Sequence, residues 1–232
     1  MISVIIPAYN EEAVIKKTLQ WLLKADADNL IAEIIVVDGG STDSTVKAAQ
    51  SERVNVLLSP KKGRAAQMNY GASLACGKIF YFLHADTLPP LSFTKDISDA
   101  VSKGCNAGCY RLSFDYNHWF LKANCWFTRF NINAFRFGDQ SLFVAATMFT
   151  KAGGFCENHI VMEDQHFIIR LKKISKFIIF KRPVLSSARK YLANGIYKTQ
   201  AVFFLIFMMY QLGYSQRILV KTYKKLIQQD KL

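Results

Sequence analysis

Short apolar runs separated by amphipathic stretches fill the first third of the chain. Residues 2–7 (ISVIIP) are mostly apolar and β-branched, as in a strand covered on both faces. Asn10 is placed to cap a helix over residues 11–24, with Glu11 and Glu12 in its first turn. Residues 33–38 (EIIVVD) read as a second buried strand ending at Gly39-Gly40, and Ser41 or Thr42 opens a helix to about residue 50. A third strand spans 54–58, a helix follows Gly63 to about residue 75, and residues 79–84 (IFYFLH) form a fourth strand. Strand and helix thus alternate four times, which predicts an α/β fold with a mostly parallel sheet flanked by helices.

The pattern is less regular afterwards. Strands are expected at 107–114, 142–147 and 177–180, and helices at 119–130 and 163–173. No repeat or linker interrupts the chain, so residues 1–192 are expected as one catalytic-sized domain and 193–232 as a helical extension. Residues 201–210 (AVFFLIFMMY) are continuously apolar but fall short of the ~20 residues that span a bilayer. Beyond Gly213, Leu219, Tyr223, Leu226 and Ile227 share a helical face, with Arg217, Lys221, Lys224 and Lys225 on the rest. Two readings fit: a basic amphipathic helix on an anionic membrane surface, slightly favoured by the aromatic run before it, or a core-packing helix with a solvated basic face.

Charge adds an expectation about partners. The 232 residues carry a formal net charge of +13, with 51% hydrophobic and 20% charged residues, so the chain is globular and calls for an anionic partner. The N-terminus lacks the basic region and cleavage site of a signal peptide. Five cysteines show no paired spacing, and Cys105 and Cys109 lack a second Cys/His pair for zinc. Buried reduced thiols and a cytoplasmic location are the expectation.

In parallel α/β sheets ligands bind beyond the carboxyl ends of the strands, and polar residues collect there. Asp38 ends the second strand, where it can meet a base or ribose or simply cap the next helix. His84 and Asp86 leave the fourth strand two residues apart, on one side if the strand continues. One Asp with phosphate oxygens and water can hold a hard cation; a plain turn Asp before Pro89-Pro90 is the alternative. Arg64 stands at a helix N-terminus after Lys61-Lys62-Gly63, suited to an anion or to a solvated loop. Of the adjacent Glu163 and Asp164, one is expected to act as a base and the other to orient or cap.

The ordered segments SVIIPAYNEE (3–12), EIIVVDGGSTDST (33–45), GRAAQMNYGA (63–72), FLHADT (82–87), GGF (153–155) and MEDQHFIIRLKK (162–173) together resemble glycosyltransferase family 2, whose members have the GT-A fold. GDQSLFV (138–144) and SARKY (187–191) resemble a bacterial subgroup of small, single-domain members. The resemblance implies a nucleotide-diphosphate sugar donor, Mn2+ or Mg2+, and inverting single displacement onto a hydroxyl acceptor. It places Pro7, Tyr9, Glu11, Asp38, Arg64 and Asn69 on the nucleotide, with Arg189 approaching the diphosphate. It places Asp86 on the metal and makes Asp164 the general base. Glu163, Asp139 and Gln140 fall on the acceptor or orienting side. His84 replaces the first aspartate of the family's Asp-x-Asp motif, as a metal ligand or a ribose contact. The acceptor is unidentified, and the basic apolar tail points to a lipid-linked one reached by peripheral contact with the cytoplasmic face of a membrane. A sugar nucleotidyltransferase would carry a glycine-rich, arginine-containing loop where this chain has Ala8-Tyr9-Asn10-Glu11. A nucleic-acid-binding module finds no recognisable motif here, and its phosphates would meet carboxylates at the strand ends.

Overall fold

The computed structural model describes residues 1–51, 53–136 and 138–228; residues 229–232, the end of the expected extension, lie outside the described residues. The chain begins β1 (Ile2–Ala8), α1 (Ile15–Ala25), β2 (Ile31–Asp38), α2 (Thr45–Ala49), β3 (Val54–Leu58), α3 (Arg64–Leu74), β4 (Ile79–Phe82). It continues β5 (Thr87–Leu88), α4 (Phe93–Ser102), β6 (Ala107–Phe114), α5 (Trp119–Phe127), β7 (Leu142–Ala145), α6 (Ala146–Lys151). It closes with α7 (Glu163–Ile174), β8 (Phe177–Ser186), α8 (Arg189–Asn194), α9 (Ile196–Gln211) and α10 (Gln216–Leu226).

One sheet in the order β3-β2-β1-β4-β7-β6-β8-β5 organises these elements. β1 to β4 are parallel, β7 runs antiparallel between β4 and β6, and β8 is parallel to β6. The mixed α/β architecture expected from the pattern is present. Alternate residues of the central strands feed two cores. Val4, Ile6, Ile34 and Val36 pack with Ile15, Leu19 and Leu22 of α1 on one face. Ile5, Ile35 and Val37 pack with Ala65, Met68 and Ala72 of α3 on the other. This double burial is why the strands read as continuous apolar runs. Gly71 lets α3 approach closely, since a Cβ there would fall 2.7 Å from Ile5 Cγ2.

Several boundaries differ from the pattern. Asn10 does not cap a helix: its φ is 52°, and its side chain accepts the Thr42 N–H at 2.9 Å, so α1 starts one turn later. The helix expected from Ser41 or Thr42 shortens to α2 because loop residues 38–44 hydrogen-bond to the β1 exit instead. β4 ends at Phe82, and the Thr87 N–H closes a turn onto the His84 carbonyl at 3.1 Å, so the period-two relation between His84 and Asp86 does not hold. α5 stops at Phe127, β7 gives way to α6 at Ala146, and β8 runs on to Ser186, where it pairs with the unanticipated β5. α4 also lies outside the pattern, although Phe93, Ile97 and Ala100 are buried at helical spacing.

The C-terminal helices fold back on the body. Leu219 and Tyr223 of α10 are buried with Ile227, against Val202 and Ile206 of α9 and Val161. The apolar face of α10 is therefore a packing face, with its basic residues left to solvent. α9 keeps Phe204, Leu205 and Met208 exposed, as is Leu212 just after it. Among the described residues no helix is long and apolar enough to cross a membrane. Of the cysteines, Cys105 and Cys109 are buried as expected, but Cys76 is exposed and Cys125 and Cys156 are half-buried.

Candidate active site

The exits of β1 and β2 are laced together before any ligand is considered. The Asn10 N–H donates to Ser41 Oγ at 2.9 Å, and the Glu11 N–H to Thr45 Oγ1 at 2.7 Å. Asp38, 2% exposed, accepts the Gly40 and Ser41 N–H groups, both at 2.9 Å, and so shapes the loop after its own strand. Gln67 of α3 ties both strand ends together by donating to the Ala8 and Val37 carbonyls at 2.8 and 2.7 Å. Pro7 stays within β1, opposite Val37, and Tyr9 is half-buried just beyond it.

The turn after β4 is held from two sides. Thr18 of α1 donates to the Ala85 carbonyl at 2.6 Å, and the Ser187 N–H donates to the Asp86 carbonyl at 3.2 Å. The β5–β8 pairing thereby carries the start of α8 to the turn. Arg189 uses this position to bridge Glu11 at 2.5 Å and Asp86 at 2.9 Å. Burial raises the Asp86 pKa; Arg189 opposes this, while the charges of Asp139 and Glu11 add to it. Lys190 beside it is pushed down by burial and by Arg64 and Arg189, against the pull of Asp139 and Asp86.

A second set of contacts continues from this turn. His84 Nδ1 lies 2.9 Å from Asp139 Oδ1, and its Nε2 lies 3.4 Å from Arg64 Nη1. Arg64 Nε in turn pairs with Glu163 Oε1 at 2.9 Å. Burial disfavours the His84 imidazolium, yet the bond to Asp139 and the charges of Asp139 and Asp164 outweigh burial and Arg64, so its pKa stands above the ordinary value. Burial also works against ionised Asp139, but His84, Lys190 and Arg64 hold it well below the carboxylate range. Burial and the neighbouring Asp164 push Glu163 upward against the attraction of Arg64. Asp164 reaches over Gly138, where any Cβ would fall 2.1 Å from its Oδ2. Both acids sit in the first turn of α7, which favours negative charge.

Glu11, Asp86, Arg189, Lys190, Asp139, His84, Arg64, Glu163 and Asp164 thus form one string of charged groups from the β1 exit to the α7 start. Five carboxylates outnumber three permanent cations in it. Two sequence candidates lie elsewhere. Asn69 turns to the loop after Gly154, accepting the Phe155 N–H at 2.8 Å and donating to the Phe155 carbonyl at 2.9 Å, so it clamps that loop rather than facing a nucleotide. Gln140 is 1% exposed and bonds Arg136 at 2.7 Å and the Phe135 carbonyl at 2.7 Å; it orients its loop from beneath and offers no acceptor contact. His84 turns Nδ1 to Asp139 and faces Arg64 with Nε2. The pattern does not single out Lys190, Gln67, Gly138 or the fully buried Arg136. A lone arginine among aromatics at 136 and a glutamine in the small-residue face of α3 are the only signals it offers.

Comparison with known proteins gives a consistent result. The family model "Glycosyl transferase family 2" matches residues 3–155. Glycosyltransferase GlyG of Streptococcus pneumoniae serotype 4 is 36% identical over 94 residues, covering 38% of this chain and 31% of that protein. Glucosyl-3-phosphoglycerate synthase of Mycobacterium tuberculosis is 36% identical over 99 residues, 38% of this chain and 30% of its own length. The chain thus spans about a third of the length of these curated relatives. Among solved structures, the mannosyltransferase PcManGT of Pyrobaculum calidifontis, in complex with GDP-Man and Mn2+, superposes with a TM-score of 0.70 at 17% identity, covering 96% of this chain and 69% of that one. S. aureus TarS in complex with UDP gives 0.68 at 18% identity, covering 80% and 60%. These two share the GT-A architecture.

Proposed function

From the premise that this chain belongs to glycosyl transferase family 2, we propose that it moves a sugar from a nucleotide-diphosphate donor to a hydroxyl acceptor by inverting single displacement. The observation that carries this reading is the continuous charged string between the β1 exit and the α7 start. Pro7, Tyr9, Glu11 and Asp38 border the nucleotide end. Arg64, Arg189 and Lys190 are the cations available to the diphosphate. Asp164 takes the acceptor's proton as the new oxygen–carbon bond forms and the bond to the diphosphate breaks. Glu163 holds Arg64, and Asp139 holds His84.

Asp86 and the carboxylates around it fit a divalent cation. Asp86 would hold Mn2+ or Mg2+, with Glu11 and Asp139 as the neighbouring carboxylates, and the ion would neutralise charge on the leaving diphosphate. Arg189 must then exchange Asp86 for phosphate oxygens. Thermal shift with a panel of nucleotide sugars, with and without Mn2+ or Mg2+, tests the donor side. We expect metal-dependent stabilisation by one nucleotide class, weakened in Asp86→Ala. Asp164→Asn should keep donor binding and lose turnover by about 10²–10⁴-fold. Equal donor affinity in wild type and Asp86→Ala would remove the metal assignment, and no stabilisation by any nucleotide diphosphate would remove the donor.

The acceptor is read as lipid-linked and met at the cytoplasmic face of a membrane. Supporting this are the exposed row of α9 and the neighbouring face of α5, where Trp119 and Trp126 are exposed beside Lys122 and Arg129. Trp119 meets Tyr197 of α9 at 6.5 Å between ring centres, so the two faces are continuous. A groove of about 630 Å³ lined by Arg111, Lys122, Trp126, Arg129 and Lys181 opens along it. Residues 1–192 would act as the catalytic unit and 193–232 as the surface-contacting extension, with Tyr223 of α10 close enough to Arg64 for each to influence the other's charge.

A further inference from the structure

Outside the charged string, the loop between α6 and α7 carries chemistry of a different kind. Cys156, His159 and His166 each bring one ligand atom to within 4.8 Å of the others. We propose that these three residues form a binding site for a zinc-class ion, separate from the carboxylate site.

The residues are placed for this by local structure. The His159 N–H closes a turn onto the Cys156 carbonyl at 3.0 Å, which gives a Cys-x-x-His unit with both side chains on one side. His166 lies in α7 two residues beyond Asp164, a helical rotation of about 200° that turns it away from that acid. The two imidazoles stack with ring centres 4.2 Å apart and planes at 12°. The Nδ1 atom of each is buried without a hydrogen-bond partner. Two buried imidazole nitrogens that bond nothing are unusual in a protein interior.

The surroundings favour the ligand forms. Burial first, and then Arg170, lower the pKa of His159; burial, His159 and Arg170 lower that of His166, so both rings stay neutral. On binding, the Cys156 thiol releases its proton and one Zn–S and two Zn–N bonds form, with water completing a tetrahedron. One sulfur and two nitrogens suit zinc and disfavour the oxygen-seeking Mn2+ and Mg2+ of the carboxylate site.

The site would fasten the segment that leads into the catalytic acids. Gln216 of α10 already accepts the Ile160 and Val161 N–H groups at 3.1 Å each, and Tyr210 of α9 stands against His159 with ring centres 5.9 Å apart. A metal at Cys156, His159 and His166 ties this segment to α7 just before Met162, whose φ of 64° turns the chain into Glu163 and Asp164.

The test uses the full chain without a histidine tag, equilibrated with Zn2+ and dialysed against metal-free buffer. Wild type should retain one equivalent of zinc by mass spectrometry, and both Cys156→Ser and His159→Asn should lose it. Cobalt in place of zinc should give a near-ultraviolet thiolate-to-metal band in wild type and in Asp86→Ala, but not in Cys156→Ser. Circular dichroism checks that the variants fold. Zinc retention equal in wild type and both variants, or a wild type without the cobalt band, overturns the site.

Discussion

Gly138 has no side chain because Asp164 stands where one would be. A Cβ there would fall 2.1 Å from Asp164 Oδ2 and 3.0 Å from His84 Cε1. Gly138→Ala must therefore displace the acid, and a misplacement near 1 Å costs about 10²-fold in rate. We expect that loss in kcat, with urea unfolding shifted by no more than about 1–3 kcal/mol as in other overpacked sites. An unchanged kcat would mean that the position of Asp164 is immaterial to turnover. Arg136 acts on the same loop from below. It is 1% exposed and bonds Gln140, the Thr128 carbonyl at 2.7 Å and the Phe130 carbonyl, so it fixes the segment that presents Asp139.

At the scale of elements, α9 and α10 have divided one apolar signal between them. α10 hides its apolar face against α9, and α9 leaves Phe204, Leu205 and Met208 outside, with Leu212 just beyond its end. If α9 meets lipid, the full chain should sediment with vesicles rich in anionic lipid, less so at high salt, and Phe204→Ser with Leu212→Ser should weaken this several-fold. Equal sedimentation of that double variant would place the contact elsewhere. The same elements show what is legible in the sequence. β1, β2 and β4 stand out because burial on both faces makes them largely apolar, while the edge strand β3 is only partly buried. The Arg64, His84 and Glu163-Asp164 positions stand out because they sit at element ends. β7 hides its contribution: it runs opposite to β4, so the loop before it, carrying Gly138 and Asp139, reaches the site. Inspecting only the carboxyl ends of strands passes over such a loop. The roles of Asn69 and Gln140 are hidden for another reason. Their amides satisfy backbone groups that come near only in three dimensions.

For the whole molecule, the charged string makes stability depend on pH. His84 has a folded pKa above its ordinary 6.5, so its pairing with Asp139 stabilises fully below that value and is lost as pH rises through the folded pKa. Glu163, raised from 4.5, shifts stability in the same direction as it ionises in the folded state. Asp139, depressed from 3.8, contributes above that value and is lost only at lower pH. The melting temperature should therefore fall from about pH 6.5 upward more steeply in wild type than in His84→Gln. Parallel pH profiles for the two proteins would remove His84 as the cause. The ion pair between Arg189 and Glu11 joins positions 178 residues apart. On a translating ribosome, β1 to β4 and their helices emerge long before α8. The nascent sheet meets the cell before Arg189 can reach Glu11 and Asp86, and the site closes only once α8 has been made.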